Sequence, residues 1–198
     1  MTVHLEEIFN YLITIINGDF LKEVELCFRI DSEKEKKIQD KLKEFFVKKV
    51  TETDTYFFPP HKDFFANKNG KENLRIRDSN GKVKLTYKNV VYNNWEYSHS
   101  IEKTVTVNDS KELIEILKSL GFKIHITIVK EREIFENDKF KITIDKIEDL
   151  GFFAEIEWNC EENENALEEC KKMAKELELE EIEDKGYLRL LEEKMDLK

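Results

Sequence analysis

The stretch Glu23-Val24-Glu25-Leu26-Cys27-Phe28-Arg29-Ile30 constrains the fold of this chain more than any other. Read with a period of two, it sets Glu23, Glu25, Cys27 and Arg29 on one face and Val24, Leu26, Phe28 and Ile30 on the other. That is the pattern of a half-buried β-strand. Two carboxylates two positions apart on a strand lie roughly 6–7 Å apart along one face. The spacing suits a divalent cation, and it is equally common on a solvated strand face, so this segment alone leaves both readings open.

The same alternation recurs. Glu72 to Asp78 sets Arg75 and Arg77 opposite Leu74 and Ile76, and Ser79-Asn80-Gly81 signals a hairpin. The returning strand sets Lys82, Lys84, Thr86 and Lys88 opposite Val83, Leu85 and Tyr87. Lys130 and Arg132 share a face within 122–135; Lys141, Thr143 and Asp145 oppose Phe140, Ile142 and Ile144. Phe153, Glu155 and Glu157 oppose Phe152, Ala154, Ile156 and Trp158. Further strands are expected over 50–58, ended by Pro59-Pro60, and from Trp95 to Val107, where Glu102 is the clearest carboxylate.

Helices fall between them. Residues 4–17 carry Leu5, Ile8, Phe9, Leu12, Ile13 and Ile16 at helical spacing, ahead of Asn17-Gly18. A second helix spans 32–46 from a cap at Asp31 or Ser32, and a third runs from Asp109 or Ser110 to a stop at Gly121. The tail from Glu161 reads as two helices meeting near Asp184-Lys185-Gly186.

Strands with one apolar and one charged face, covered by amphipathic helices, predict an α+β fold: a closed eight-stranded antiparallel β-barrel with a charged lumen and helices packed outside. The expected organisation is an N-terminal helical extension over residues 1–20 and a single domain over 21–198. Bases paired on three strands and carboxylates on two call for a polyanion with hard cations, such as a phosphate chain with Mg²⁺ or Mn²⁺. The 198 residues are 38% charged with a formal net charge of −10, which argues against a general nucleic-acid or anionic-membrane binder. No apolar run is long enough for a membrane helix. Cys27, Cys160 and Cys170 lack metal spacing and are odd in number, which points to a reducing, cytoplasmic setting.

Glu23-Val-Glu25-Leu-Cys27 resembles the Glu-x-Glu-x-Lys signature of the CYTH superfamily, the triphosphate tunnel metalloenzymes. Asp54-Thr-Tyr-Phe, Leu74-Arg75-Ile-Arg77, Leu85-Thr-Tyr-Lys88, Val129-Lys130-Glu-Arg132 and Leu150-Gly-Phe-Phe-Ala-Glu155-Ile-Glu157 resemble later segments of that family, in order. Tyr187-Leu-Arg-Leu-Leu191 is similar to its closing segment. The resemblance implies metal ligands at Glu23, Glu25, Glu155 and Glu157, holding Mg²⁺ or Mn²⁺. It implies substrate contacts from Arg75, Arg77, Lys84, Lys88, Lys130 and Arg132, with Glu25, Lys130, Arg132, Asp145 and Glu155 acting in catalysis. The segment from 142 to 157 is similar to the class IV adenylate cyclases, which implies conversion of ATP to cyclic AMP and pyrophosphate. An inorganic or organic triphosphatase, acting on inorganic or thiamine triphosphate, is the alternative, and a non-catalytic triphosphate-binding module the third. Family members often pair, so a homodimer is expected by analogy. The chain departs from the signature at Cys27, a neutral thiol where the family has a lysine, and at Thr104 and Thr106, where further carboxylates can stand.

Overall fold

The structure is a computed structural model. It describes the chain apart from residues 1–10, 17–18, 65–69, 94–95, 159–165, 184 and 196–198, and gives backbone alone for strand residues 11–16, 19–24, 70–71, 90–93 and 96–102. The elements, in order, are strands β1 (Tyr11–Ile16) and β2 (Asp19–Ile30), helix α1 (Ser32–Leu42) with a 3₁₀ turn at Lys43–Phe45, and strands β3 (Phe46–Phe58), β4 (Gly70–Ser79), β5 (Lys82–Asn93) and β6 (Glu96–Val107). Helix α2 (Ser110–Ser119), strands β7 (Lys123–Glu136), β8 (Phe140–Ile147) and β9 (Gly151–Trp158), and helices α3 (Ala166–Glu176) and α4 (Tyr187–Lys194) follow. No helix among the described residues is long and apolar enough to cross a membrane.

Two expectations change. Residues 11–16 form a strand where the sequence predicts the second half of a helix; the run Ile13-Thr14-Ile15-Ile16 is all β-branched, which favours the extended backbone over the helix. The first half of that expected helix lies outside the described residues. The antiparallel sheet with helices is present, but among the described residues it does not close into a barrel: nine strands follow one linear order, β1-β2-β9-β8-β7-β3-β4-β5-β6. A period of two fixes which face of a strand is charged and carries no information on whether the first and last strands pair.

The described residues gather into two compact units, each assembled from distant segments: one contains Leu21–Lys49 and Arg132–Lys198, the other Ile13–Phe20 and Val50–Glu131. In the first, the apolar faces of β2, β8 and β9 bury Leu26, Phe28, Ile142, Ile144, Ala154 and Ile156 against Ile38 and Leu42 of α1 and Ala166, Cys170 and Ala174 of α3. Asp31 caps α1 by accepting from Lys34 N at 2.7 Å, and Glu33 and Glu35 in the first turn suit the positive end of the helix dipole. Past α3 the described residues are not helical until α4. Arg29 N donates to Glu181 O and Glu183 N to Cys27 O, at 3.0 and 2.9 Å, so this connection lies along β2.

In the second unit, Phe57, Ile76 and Val83 pack beneath Leu117 of α2, with Leu113 and Ile114 alongside. Asp109 is the cap of α2, accepting from Lys111 N and Glu112 N, and Gly121, at φ +87°, ends the turn that follows. The β4–β5 hairpin forms where Ser79-Asn80-Gly81 predicts it. Asn80 and Gly81 both hold positive φ, and Gly81 N donates to Asp78 Oδ1.

Candidate anion and cation sites

Register builds the polar face of the first unit. Glu25 of β2 stands opposite Glu157 of β9, which stands opposite Lys141 of β8. In the next row come Cys27, Glu155 and Thr143, and in the third Arg29, Phe153 and Asp145. Opposed residues point to the same face of an antiparallel sheet, so residues more than 100 positions apart meet.

Arg132, from β7, ties these rows together. Its Nε donates to Asp145 Oδ1 at 2.6 Å, and its Nη2 to Asp145 Oδ2 and to Glu155 Oε2, both at 2.5 Å. Thr143 Oγ1 adds a bond to Glu155 Oε2 at 3.1 Å, and Lys141 Nζ donates to Glu157 Oε2 at 2.5 Å. Asp145 is wholly buried. Tyr187, the first residue of α4, donates its hydroxyl to Asp145 Oδ2 at 3.0 Å and lies 4.0 Å from Cys27 Sγ. Glu25, Arg132, Lys141, Thr143, Glu155 and Glu157 line a cavity of about 130 Å³.

Around the cavity three carboxyl groups (Glu25, Glu155 and Glu157) face two cations, Arg132 and Lys141, while Asp145 takes the Arg132 fork and Arg29 of the third row pairs with Glu183. The shortage of positive charge shows in the protonation of Glu25. Burial, and then the Glu155 charge, push its carboxyl up to about 8, against the pull of Arg132. Burial, followed by the Glu155 and Glu25 charges, raises the Cys27 thiol well above its usual range, so the neutral thiol expected from the sequence is what stands there. Burial also raises the Tyr187 phenol, with Glu155 and Asp145 adding to it, which keeps the hydroxyl a donor. Burial works against the Arg132 charge, but Glu155 and Asp145 outweigh it and hold the guanidinium protonated.

The second unit presents the opposite balance. Asp54 of β3, Arg77 of β4, Lys84 of β5 and Thr106 of β6 form one row, and Tyr56, Arg75, Thr86 and Thr104 the next. Arg77 grips Asp54 with its fork, Nε to Oδ1 at 2.6 Å and Nη2 to Oδ2 at 2.7 Å; its Nη1 lies 3.4 Å from Glu52 Oε2. Lys130 Nζ, almost fully buried, is 3.1 Å from the same Glu52 oxygen. Arg75 Nη1 reaches Asp54 Oδ2 only at 3.5 Å, and its buried Nε meets no acceptor among the described residues. Burial would raise the Asp54 carboxyl, but the Arg77 hydrogen bonds and the Arg75 and Arg77 charges win and bring it down to about 2. Three cations here face two carboxylates, and Lys84 and Lys88 extend the same face; Lys84 is exposed.

Of the residues singled out in the sequence, Glu25, Arg132, Asp145, Glu155 and Glu157 come together in the first unit. Arg75, Arg77, Lys84, Lys88 and Lys130 share the second. The side chain of Glu23 lies outside the described residues. Sequence reasoning passed over Glu52, Lys141, Thr143 and Tyr187 as site residues and gave Asp54 no role. Glu52 and Asp54 carried a usable signal, the same two-residue carboxylate spacing as Glu23 and Glu25.

For a divalent cation the donor chemistry fits: hard carboxylate oxygens, short of positive charge, around a small polar cavity. Among the described residues no three acidic, Cys or His side chains converge as a ligand set, since Glu155 and Glu157 are turned toward Arg132 and Lys141.

The fold is that of an α+β protein whose antiparallel sheet carries an acid-rich and a base-rich set of rows. More particularly, the chain belongs to the CYTH domain family, which matches residues 21–189. It is 34% identical over 176 residues, 85% of this chain and 97% of the relative, to a candidate adenylate cyclase from Methanocaldococcus jannaschii. Among solved structures, a protein from Pyrococcus horikoshii OT3 superposes with a TM-score of 0.68 at 27% identity, covering 85% of this chain and 98% of that one. A candidate adenylyl cyclase from Hippeastrum, described as revealing a dominant triphosphatase activity, shares the fold at TM-score 0.63 and 16% identity, over 87% of this chain and 95% of its own.

Proposed function

We propose that this protein is a divalent-metal-dependent enzyme acting on a triphosphate, converting ATP to cyclic AMP and pyrophosphate in the manner of class IV adenylate cyclases. The observation that carries the reading is the base-rich row set of β3, β4 and β5, where Arg75, Arg77, Lys84 and Lys88 share one face with an excess of positive charge. Guanidinium forks and ammonium groups on adjacent strands match the oxygens of a phosphate chain. The CYTH family membership and the M. jannaschii relative's name support the same reaction class.

In this reading Arg75, Arg77, Lys84, Lys88 and Lys130 bind and orient phosphate oxygens. Arg132, aligned by Asp145, offsets charge that develops on phosphate in the transition state. Glu23, Glu25, Glu155 and Glu157 would hold Mg²⁺ or Mn²⁺, which when bound neutralises phosphate charge and fixes the geometry of displacement. Glu25, whose carboxyl burial and the Glu155 charge push up to about 8, would have to lose its proton to hold a cation, and Lys141 keeps Glu157 oriented.

The test is to incubate the purified protein with ATP, thiamine triphosphate or inorganic triphosphate plus Mg²⁺ or Mn²⁺ and resolve the products. Cyclic AMP with pyrophosphate is the expected result, abolished in Glu25→Ala and Glu155→Ala, with binding weakened in Arg75→Ala. Phosphate release without cyclic AMP would make the protein a triphosphatase, and binding without turnover a triphosphate-binding module. Full activity in Glu25→Ala would overturn the metal assignment.

A further inference from the structure

Tyr187 reaches the acid-rich rows from a helix, and the reaction as proposed gives it no part. Its hydroxyl donates to Asp145 Oδ2 at 3.0 Å, the same oxygen that accepts from Arg132 Nη2 at 2.5 Å. Asp145 Oδ1 accepts from Arg132 Nε at 2.6 Å, and Glu155 Oε2 accepts from Nη2. Arg132 lines the cavity, and its remaining nitrogen, Nη1, makes no hydrogen bond among the described residues. Asp145 has no exposed surface, and a carboxylate shielded from water is oriented by the donors around it. The hydroxyl is itself firmly placed. The Tyr187 ring lies 5.0 Å from that of Phe153, a fully buried residue that stands opposite Asp145 in the β8–β9 register. The Arg29 guanidinium sits 4.8 Å from the Phe153 ring, and its Nη2 pairs at 3.1 Å with Glu183 in the connection that leads to Tyr187. The backbone of that connection is bonded to β2 at Arg29 and Cys27.

We propose that Tyr187 is a positioning residue for the reaction: its hydroxyl holds Asp145, Asp145 holds Arg132 by Nε and Nη2, and Nη1 is thereby left in place for a phosphate oxygen. This rests on the triphosphate reading above and deepens it at Arg132. A donor fixed before the reaction stabilises developing charge without having to reorganise when that charge appears. The bases of β4 and β5 hold the phosphates in the ground state in that reading. Loosening Arg132 from behind should therefore slow the chemical step and leave substrate binding almost unchanged.

The test compares two replacements that keep a ring against Phe153: Tyr187→Phe, which has no donor, and para-aminophenylalanine at the same position, which has one. The probe is whichever of ATP, thiamine triphosphate and inorganic triphosphate the wild type turns over with Mg²⁺ or Mn²⁺. Tyr187→Phe should lower kcat about tenfold and leave KM within about twofold of wild type, and the amine should bring kcat back to within about threefold. A residue that merely props up the fold would not separate the two replacements. An unchanged kcat in Tyr187→Phe, a rise in KM alone, or equal kcat values for the two replacements overturns the proposal. In wild-type protein the Tyr187 hydroxyl proton, assigned by NMR through its contact with the Phe153 ring after isotope labelling of tyrosine, should exchange slowly with water. Rapid exchange overturns the proposal even where Tyr187→Phe fails to fold. Wild-type protein that turns over none of the three triphosphates overturns the proposed function together with this inference, whereas turnover that Tyr187→Phe leaves intact overturns the inference alone.

Discussion

Removal of the Arg132 side chain breaks a deeply buried charge pair. Arg132→Met keeps the length of the stem and deletes the guanidinium, leaving Asp145, with none of its surface exposed, holding only the Tyr187 hydroxyl from the set described above. Breaking a buried pair from one side costs about 3–5 kcal/mol, because the partner charge stays desolvated. For a chain of this length each kcal/mol lowers Tm by about 2–4 °C, so a drop on the order of 10 °C is expected, read by thermal unfolding and by urea titration. Asp145→Asn in the same background removes the stranded charge and should recover about half of the loss. A loss below about 1 kcal/mol at pH 7 would refute the reasoning, since it falls in the range of exposed pairs.

Three further outcomes are expected. The Asp54 carboxyl is brought from 3.8 to about 2 in the folded protein; it therefore contributes about 2 kcal/mol above pH 4 that disappears as pH falls toward 2, a slope that urea titrations should show in wild type and not in Asp54→Asn. Ile142→Ala, at a fully buried position between β9 and the helices over it, should cost about 2–5 kcal/mol in the same assay. Gly121→Ala should cost about 1–2 kcal/mol, because φ is +87° and the new Cβ would sit 3.3 Å from the Pro60 ring; a neutral result would mean that Pro60 and the turn relax without penalty.

Much of this architecture was legible in the sequence because strand alternation is a local signal. Leu26 and Phe28 against Glu25 and Cys27, or Ile142 and Ile144 against Thr143 and Asp145, reveal their faces within a few residues. Caps at Asp31 and Asp109 and the turn at Asn80-Gly81 are local too. The N-terminal segment misled because Leu12, Ile13 and Ile16 fit both a helical stripe and an apolar strand, and only the β-branched run tips the balance. Closure could not be read, since it concerns strands at opposite ends of the order. Pairing was equally hidden: nothing near Arg132 announces that its fork is shared between Asp145 and Glu155, nor that Tyr187 reaches Asp145 from a helix 42 positions away in the chain. These partnerships depend on register between strands. That is why Lys141 and Thr143, which do nothing unusual in their own neighbourhoods, went unassigned.

The short connection between β8 and β9 acquires a weight that its composition hides. Ile147 pairs with Gly151, and the three residues between them include Asp149 at φ +69°, with Gly151 following at +99°. This turn is the gauge that decides which half of β9 faces the polar rows. Were one residue gained or lost there, Glu155 and Glu157 would rotate under α3 while Ala154 and Ile156 took their places beside Arg132. A change of two would slide the same faces along without exchanging them. The charged site should therefore tolerate many point substitutions along β9 yet obey a parity rule for length, and a library of one- and two-residue insertions in this turn would read that rule directly as folded and unfolded protein.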